Sequence, residues 1–361
     1  MTAGSRHAHS AAVAGVHETA IADPERLRMD DRAWDAFVTG LAAPSFLQLT
    51  AWARVKRPNG WTPARVVASG PKGPIGAQVL LRKAGALPWR LGYAARGPVA
   101  SELDATGIAA FADASRSQAR ALGISTLRIE PELEDDPPLR AALERGGWRP
   151  IERSFQPPST RIIDLTSSED ALWSDLRQKW RQYVNKARRA GVTVSAGTAA
   201  DLPAFFELYE ETATRAGFYH REEHSYRAVW DAFAPAGMVR LLLARSAAGQ
   251  PLATLFLIGC GRRMTEVYGG MNLAGADVHA NYLLKWEAIR RAREEGFAEY
   301  DLWGLAHPGI AHFKAGFGGR EVQYVGAWEL VFDPLGRTAL EVGRRARLTA
   351  ARLAARARGR R

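Results

Sequence analysis

Lysine is scarce in this chain, seven residues against forty-two arginines, so the setting of each one is informative. Lys314 stands in His312-Phe313-Lys314-Ala315-Gly316-Phe317-Gly318-Gly319, and Lys56 closes the run Trp52-Ala53-Arg54-Val55-Lys56. A lysine ammonium is a compact charge suited to a phosphate or to a developing oxyanion. The plainer alternative for either is a solvated side chain beside a turn. Arg215 and Tyr219 lie four apart in Arg215-Ala-Gly-Phe-Tyr-His-Arg221. If a helix ends at Gly217, a guanidinium and a phenol there can grip a diphosphate or a carboxylate; otherwise they are a capping arginine and a packed tyrosine. Tyr268 precedes Gly269-Gly270 at the expected end of a strand, a position for ligand contact or for a hairpin aromatic. Asp301, ending a later strand, is either a base for the attacking nucleophile or a structural carboxylate.

Other chemistries are disfavoured. No His/Cys set has zinc spacing, so no metal is expected. There is no GxxxxGK[ST] phosphate loop and no GxSxG nucleophile turn. The nearest approach to the acetyl-CoA signature [QR]xxGx[GA] is Arg120-Ala-Leu-Gly123-Ile-Ser125, which ends in Ser and runs into a strand rather than a helix N-terminus. The single cysteine, Cys260, lies in an apolar run and reads as a buried thiol. Together with the lack of a secretory pattern, this favours a cytoplasmic protein.

Net charge is +11, unevenly spread. Residues 336–361 hold nine arginines and one acid, Glu341, giving +8, so the rest of the chain carries +3. Such a tail attracts nucleic acid or an anionic membrane face, or is simply a solvated, helix-prone end. A second basic stretch carries Arg177, Lys179, Arg181, Lys186, Arg188 and Arg189; it can track an RNA backbone or form a solvated helix face.

The elements that must position these residues come in two similar series. After a loose leader over 1–25, helical patterning covers 31–41 and strand patterning 64–68 and 75–83; a helix is expected over 102–122, a strand over 125–130 and a helix over 138–146. The second half predicts a long basic helix at 168–190, a strand at 192–196, and helices at 201–216 and 223–233. Strands follow at 239–245, 251–259 and 264–269, then a helix at 279–295, a strand at 299–303 and a strand pair within 322–332. Pro74-Ile75-Gly76 matches Pro251-Leu252-Ala253 at an offset of 177, and Arg120 to Ile124 matches Arg293 to Phe297 at 173. Two matches at nearly one offset indicate a duplicated α+β unit of roughly 175 residues. The expected fold is α+β (α/β): two tandem GNAT-like acyl-CoA N-acyltransferase domains, the first over 26–165 joined by a final strand at about 320–335, the second over 166–319, with the basic tail at 336–361.

In the order of its short motifs the chain resembles the Fem family of peptidoglycan bridge-forming aminoacyltransferases over about residues 30 to 335. The motifs are Phe46-Leu-Gln48 with Trp52 and Lys56; Tyr93 with Arg96-Gly97-Pro98; Gln156-Pro157 with Thr160 and Asp164-Leu165; and Arg181 through Gly191. They continue with Arg215 through Tyr219, Tyr282-Leu-Leu with Trp286-Glu-Ala, Tyr300-Asp301-Leu-Trp-Gly304, Phe313-Lys314 and Phe317-Gly318-Gly319. The resemblance implies two N-acyltransferase-like domains, aminoacyl-tRNA as co-substrate with no other cofactor, and a lipid- or UDP-linked muramyl pentapeptide precursor as acceptor. It implies that Lys56, Arg215, Tyr219 and Tyr268 bind the precursor, and that Lys314 beside Phe313 meets the tRNA end and stabilises the oxyanion. No heptad-bearing stretch interrupts the second half, so the coiled-coil arm of some members is not expected. RNA contact then falls to the 177–189 helix or to the tail. The protein is expected to be a monomer, with peripheral contact to an anionic membrane through the tail. Two other readings stay open: a CoA-dependent N-acyltransferase acting on a polysaccharide or small amine, and a non-catalytic tRNA-binding relative.

Overall fold

The computed structural model describes residues 29–358 apart from 84, 86, 306 and 307. The expected leader at 1–25 and the last three residues of the tail fall outside that range. The first half runs α1 (Asp31–Thr39), α2 (Thr50–Lys56), β1 (Thr62–Gly70), β2 (Gly73–Lys83), β3 (Arg90–Arg96), β4 (Val99–Ala100), α3 (Ala105–Leu122), β5 (Ile124–Pro131), α4 (Pro137–Arg145) and β6 (Arg149–Ile151). The second half runs β7 (Ser159–Asp164), α5 (Glu169–Asp175), α6 (Gln178–Arg189), β8 (Thr193–Ala196), α7 (Leu202–Ala216), α8 (Glu223–Phe233), β9 (Val239–Arg245), β10 (Pro251–Cys260) and β11 (Arg263–Met271). It ends with α9 (Leu273–Asp277), α10 (Ala280–Glu294), β12 (Glu299–Asp301), α11 (Pro308–Ala315), β13 (Arg320–Gln323), β14 (Ala327–Val331) and α12 (Pro334–Arg358).

Two seven-stranded sheets carry the duplication. One has the order β1-β2-β3-β5-β14-β6, with β4 on β2; the other is β13-β7-β12-β11-β10-β9-β8. Setting β1, β2, β3 and β5 against β9, β10, β11 and β12 superimposes the two orders. In each, a long helix (α3 or α10) crosses between the only parallel neighbours among the described residues, β3/β5 and β11/β12. Both helices stop at the glycines that mark the repeat, Gly123 (φ 64°) and Gly296 (φ 86°), whose left-handed backbone turns the chain back into the sheet. The parallel pairs differ in one respect. Strand β3 stays with β5 from Arg90 to Arg96, whereas β11 stays with β12 only from Arg263 to Thr265 and then diverges. The second sheet is therefore split open where the first is closed.

Several expectations need correction. Strand β7 lies in the second sheet, paired with β12 and β13, so residues 159–164 belong to the second domain and the linker is 152–158. Of the returning pair, β13 stays in the second sheet and only β14 crosses to the first, between β5 and β6. The expected helix over 168–190 is two helices, α5 and α6, broken at Leu176, whose extended backbone (φ −64°, ψ 137°) buries its side chain between them. Lys314, for which no element was expected, lies in a short helix, α11, and the glycines at 316, 318 and 319 follow it. The tail forms α12. The longest helices of the second domain have 15 residues, and no arm interrupts it among the described residues.

One core serves both halves. Trp34, Phe46, Leu49 and Trp52 from the first pack with Phe205, Tyr226, Phe233 and Phe256 from the second. At roughly 1.5–3 kcal/mol per large apolar side chain buried, this shared layer holds the halves in one relative position. Gln48, fully buried, fixes the turn between α1 and α2 by donating to the carbonyl of Ala95 (2.6 Å) and accepting from the Gln78 N–H (2.7 Å).

Candidate functional site

Two groups of side chains line the seam between the halves. The first surrounds Lys314. Strand β12 ends where its pairing with β11 stops, and α11 brings Phe313 and Lys314 to the loop that follows it. The Lys314 ammonium donates to the carbonyl oxygens of Gly304 (2.7 Å) and Trp303 (3.2 Å), in the loop that follows β12. An ammonium has three donors, and these two carbonyls are its hydrogen-bond partners among the described residues, which leaves one donor unspent there. Burial, together with the like charge of Lys285, lowers its pKa to about 8, against the opposing pull of Glu266 and Asp301. The Trp303 backbone is left-handed (φ 59°), a conformation a bulky residue rarely adopts. It is held there by its N–H on Asp301 Oδ1 (2.8 Å) and by its ring against Phe46 (5.6 Å) and under the Arg96 guanidinium (5.3 Å).

Behind Lys314 is a buried polar set that the sequence did not advertise. Lys285, projecting from the middle of α10, is paired with Glu266 of β11, which also accepts from the Tyr300 hydroxyl (3.0 Å). The Lys285 ammonium lies over the Phe313 and Phe317 rings at 5.5 and 5.6 Å. The available signal was the rarity of lysine; the partners, on two different strands, were not legible. Gly316 is required here, because a Cβ at that position would come within 2.3 Å of the Trp180 ring.

Around the opening, Trp180 donates from Nε1 to the Phe313 carbonyl (3.0 Å), and Tyr183, His279 and Tyr282 form an aromatic wall, with His279 stacked on Tyr183 at 4.0 Å. Burial and the neighbouring Lys186 hold the His279 pKa below its ordinary value. The basic stretch supplies the rim of this wall, though not with all six residues. Arg181 is occupied by the carbonyls of Ser174 and Leu176, and Arg188 pairs with Glu287 (3.2 Å). Arg177 contacts the His312 ring (3.0 Å), while Lys179, Lys186 and Arg189 are exposed.

The second group centres on Lys56. Its ammonium sits over the Trp52 ring at 4.1 Å, where burial, then the charge of Arg221, lower its pKa to about 8. Arg221, the last residue of the Arg215–Arg221 run, was not singled out in the sequence. Its N–H donates to the Tyr226 hydroxyl (3.0 Å), and Tyr226 lies edge-on to Tyr268 (5.0 Å). The Tyr268 phenol is pushed up to about 12, chiefly by burial. It does not end an exposed strand: β11 runs on to Met271, and Tyr268 packs among Phe205, Tyr209 and Phe256 beside a bulge in the strand. Tyr219 is 90% exposed on the same loop as Arg221. Arg215 sits in the last turn of α7, which does end at Gly217 (φ 69°), and donates to the Met271 carbonyl (2.8 Å) and to Glu211 (3.1 Å). The structure thus joins Lys56 to Tyr268 through Arg221 and Tyr226, and sets Arg215 apart.

Asp301, expected as a candidate base, is 1% exposed and accepts from the Thr160 hydroxyl and the Trp303 N–H through the same oxygen. Both bonds fall on Oδ1, so through that oxygen the carboxylate braces the loop that carries Trp303. The two groups are linked by packed side chains, Lys314 to Trp303, Trp303 to Phe46, Phe46 to Trp52 (5.8 Å) and Trp52 to Lys56. Both therefore face one seam. The arrangement provides cations at two points, Lys314 and Lys56, and an aromatic and basic approach to the first, whose ammonium keeps an unspent donor among the described residues.

Comparison with known proteins agrees with this division. Residues 174–315, the half with the split sheet, match the family described as Acetyltransferase (GNAT) domain. A Lipid II:glycine glycyltransferase from Staphylococcus aureus (strain MRSA252) is 29% identical over 232 residues, which is 61% of this chain and 55% of that protein; the protein of the same name from strain USA300 is 28% identical over the same shares. The chain thus spans about half the length of these curated relatives. Among solved structures, FemX superimposes with a TM-score of 0.78 at 21% identity, over 87% of this chain and 99% of that one. L-PGS from Bacillus licheniformis gives 0.51 at 12% identity, over 89% and 96%. These two similarities establish the fold, and the acetyltransferase match of the second half together with the repeated strand order gives two GNAT-like units in tandem.

Proposed function

We propose that this chain is an aminoacyltransferase that moves an amino acid from aminoacyl-tRNA to a stem-peptide amine of a muramyl pentapeptide precursor. The observation that carries the reading is the half-buried Lys314 ammonium, with one donor unspent, set where the second sheet opens and on the same seam as Lys56 and Tyr268. The staphylococcal relatives are named for glycine transfer involving lipid II, which supplies the substrate class.

The aminoacyl ester is already activated, so the chain's task is to hold ester and amine together and stabilise the tetrahedral intermediate. In the proposed reaction, the amine nitrogen forms a bond to the ester carbonyl carbon and the carbonyl oxygen becomes an oxyanion beside Lys314. The carbon–oxygen bond to the ribose then breaks, and the proton released by the amine ends on the ribose oxygen. The aromatic wall of Tyr183, His279 and Tyr282, edged by Arg177, Lys179 and Lys186, offers stacking and phosphate contacts of the kind that hold single-stranded nucleic acid. Lys56, Arg221 and the tyrosines near them suit the diphosphate and sugar of the precursor. The test is incubation with charged tRNA and UDP- or lipid-linked muramyl pentapeptide, read by mass analysis. A precursor heavier by one amino-acid residue is expected; no product from any charged tRNA refutes the reading.

A CoA-thioester donor is the second reading, favoured by the acetyltransferase match over 174–315 and by the split parallel strands. Protection of the protein by acyl-CoA rather than by charged tRNA would select it. Binding of tRNA without transfer would select a non-catalytic relative.

A further inference from the structure

Helix α12 is amphipathic, and it presents its apolar stripe away from the protein. Its inner side is anchored on the first sheet. Trp89 Nε1 donates to Asp333 at the helix start (2.7 Å), Arg337 donates to Glu329 of β14 (2.6 Å), and Arg128 of β5 donates to Glu341 (2.7 Å). Leu335, Val342, Ala346 and Ala350, spaced by whole turns, then fall on one outer stripe. Leu335 is 76% exposed and Val342 62%, and both alanines are exposed. No helix among the described residues is long and apolar enough to cross a membrane, so the stripe is not part of a span.

A second feature lies beside it. A groove of about 470 Å³ separates α12 from the 150–155 segment, and Phe155, 48% exposed, stands at it with Arg153 over its ring at 6.0 Å. Arg345 lines the same groove; neither Arg153 nor Arg345 has an ion-pair partner among the described residues. The acids there are Glu341, already held by Arg128 and Arg344, and Glu152. The surface therefore combines outward apolar side chains, a solvent-facing aromatic and unpaired guanidiniums, with a sequence charge of +8 over residues 336–361.

We infer that α12 and the neighbouring groove form a membrane-binding face, laid on an anionic bilayer with Leu335, Val342 and Phe155 dipping into the headgroup boundary and Arg153 and Arg345 on lipid phosphates. An interfacial helix needs an apolar stripe flanked by basic residues, and both are present. Charge complementarity selects an anionic lipid surface over a neutral one. The outward leucine and valine favour lipid over nucleic acid, whose backbone gives apolar side chains nothing to bury against. The inference does not depend on the acyl group transferred; joined to the proposed function, it favours a lipid-linked acceptor.

The test uses the full chain without tRNA or precursor, sedimented with vesicles of phosphatidylglycerol and phosphatidylcholine or of phosphatidylcholine alone. Binding is expected to the anionic vesicles only, weakening as salt rises. The double variant L335E/V342E should bind at least about tenfold more weakly, and R153Q and R345Q about fivefold each. All four side chains are exposed, so unchanged thermal unfolding is expected and separates lost binding from lost fold. L335E/V342E should still transfer to a soluble UDP-linked precursor while losing transfer to a lipid-linked precursor in vesicles. Vesicle binding by a chain that transfers to neither acceptor would leave this inference standing and remove the proposed function. Equal binding to neutral and anionic vesicles, unaltered binding by the variants, or retention by tRNA with none by vesicles overturns it.

Discussion

Replacing Lys314 by methionine separates a catalytic role from a structural one. Burial, the largest influence on this lysine, lowers its pKa from 10.5 to about 8. At about 1.4 kcal/mol per pKa unit, carrying the charge in the fold costs roughly 3 kcal/mol at neutral pH. Methionine removes that cost but also the bonds to the carbonyls of Trp303 and Gly304, each contributing roughly 1.5 kcal/mol, the low end for a charged donor. The opposing effects nearly cancel, so stability should change by less than about 1 kcal/mol and Tm by less than about 5 °C. Transition-state stabilisation has no such compensation. Losing an ammonium donor aimed at the oxyanion removes about 3–4 kcal/mol, a fall of roughly 10²- to 10³-fold in kcat, with kcat/KM falling equally. The pH dependence gives an independent readout. Because the folded-state pKa lies below the unfolded value, the unfolded chain holds the proton that the folded chain has lost between pH 8 and 10.5. Wild-type stability relative to K314M should therefore rise across that window, by up to about 3 kcal/mol, and be lost again as pH falls towards 8. The assay is initial-rate transfer from charged tRNA, with thermal unfolding followed at several pH values. Transfer within tenfold of wild type would refute the catalytic role, and a Tm loss of more than about 10 °C would make the lysine a brace instead.

Three further outcomes are expected. K56A and R221A should each raise KM for the UDP-linked precursor about tenfold or more with little change in kcat; an unaltered KM in R221A would remove that arginine from the site. E266Q leaves the Lys285 ammonium buried without its counter-charge and should cost about 3–5 kcal/mol in urea unfolding, most of it recovered in E266Q/K285M; a loss under 1 kcal/mol would show that the pair is not sealed from water. G316A drives a methyl group into the Trp180 ring and should destabilise by roughly 1–3 kcal/mol, and an unchanged Tm would contradict the close approach found there.

The sequence by itself determined the duplicated α+β plan. Each unit repeats a local order of strands, crossover helix and strand, and helix stops such as Gly123 and Gly296 are written into neighbouring residues. It also marked Lys56 and Lys314, because a rare residue type in an aromatic setting is visible without a fold. Contacts between distant segments were decided only in the tertiary structure. The Glu266–Lys285–Tyr300 set draws on two strands and a helix, Arg221 reaches the Lys56 group only because the halves share a core, and residues 159–164 fall in the second domain rather than the first because pairing partners are not local. Asp301 reads identically in sequence as a base or as a brace. Burial and the hydrogen bonds from Thr160 and Trp303 show the bracing contacts, since the desolvation and partnering that set a carboxylate's availability arise only when the chain is folded around it.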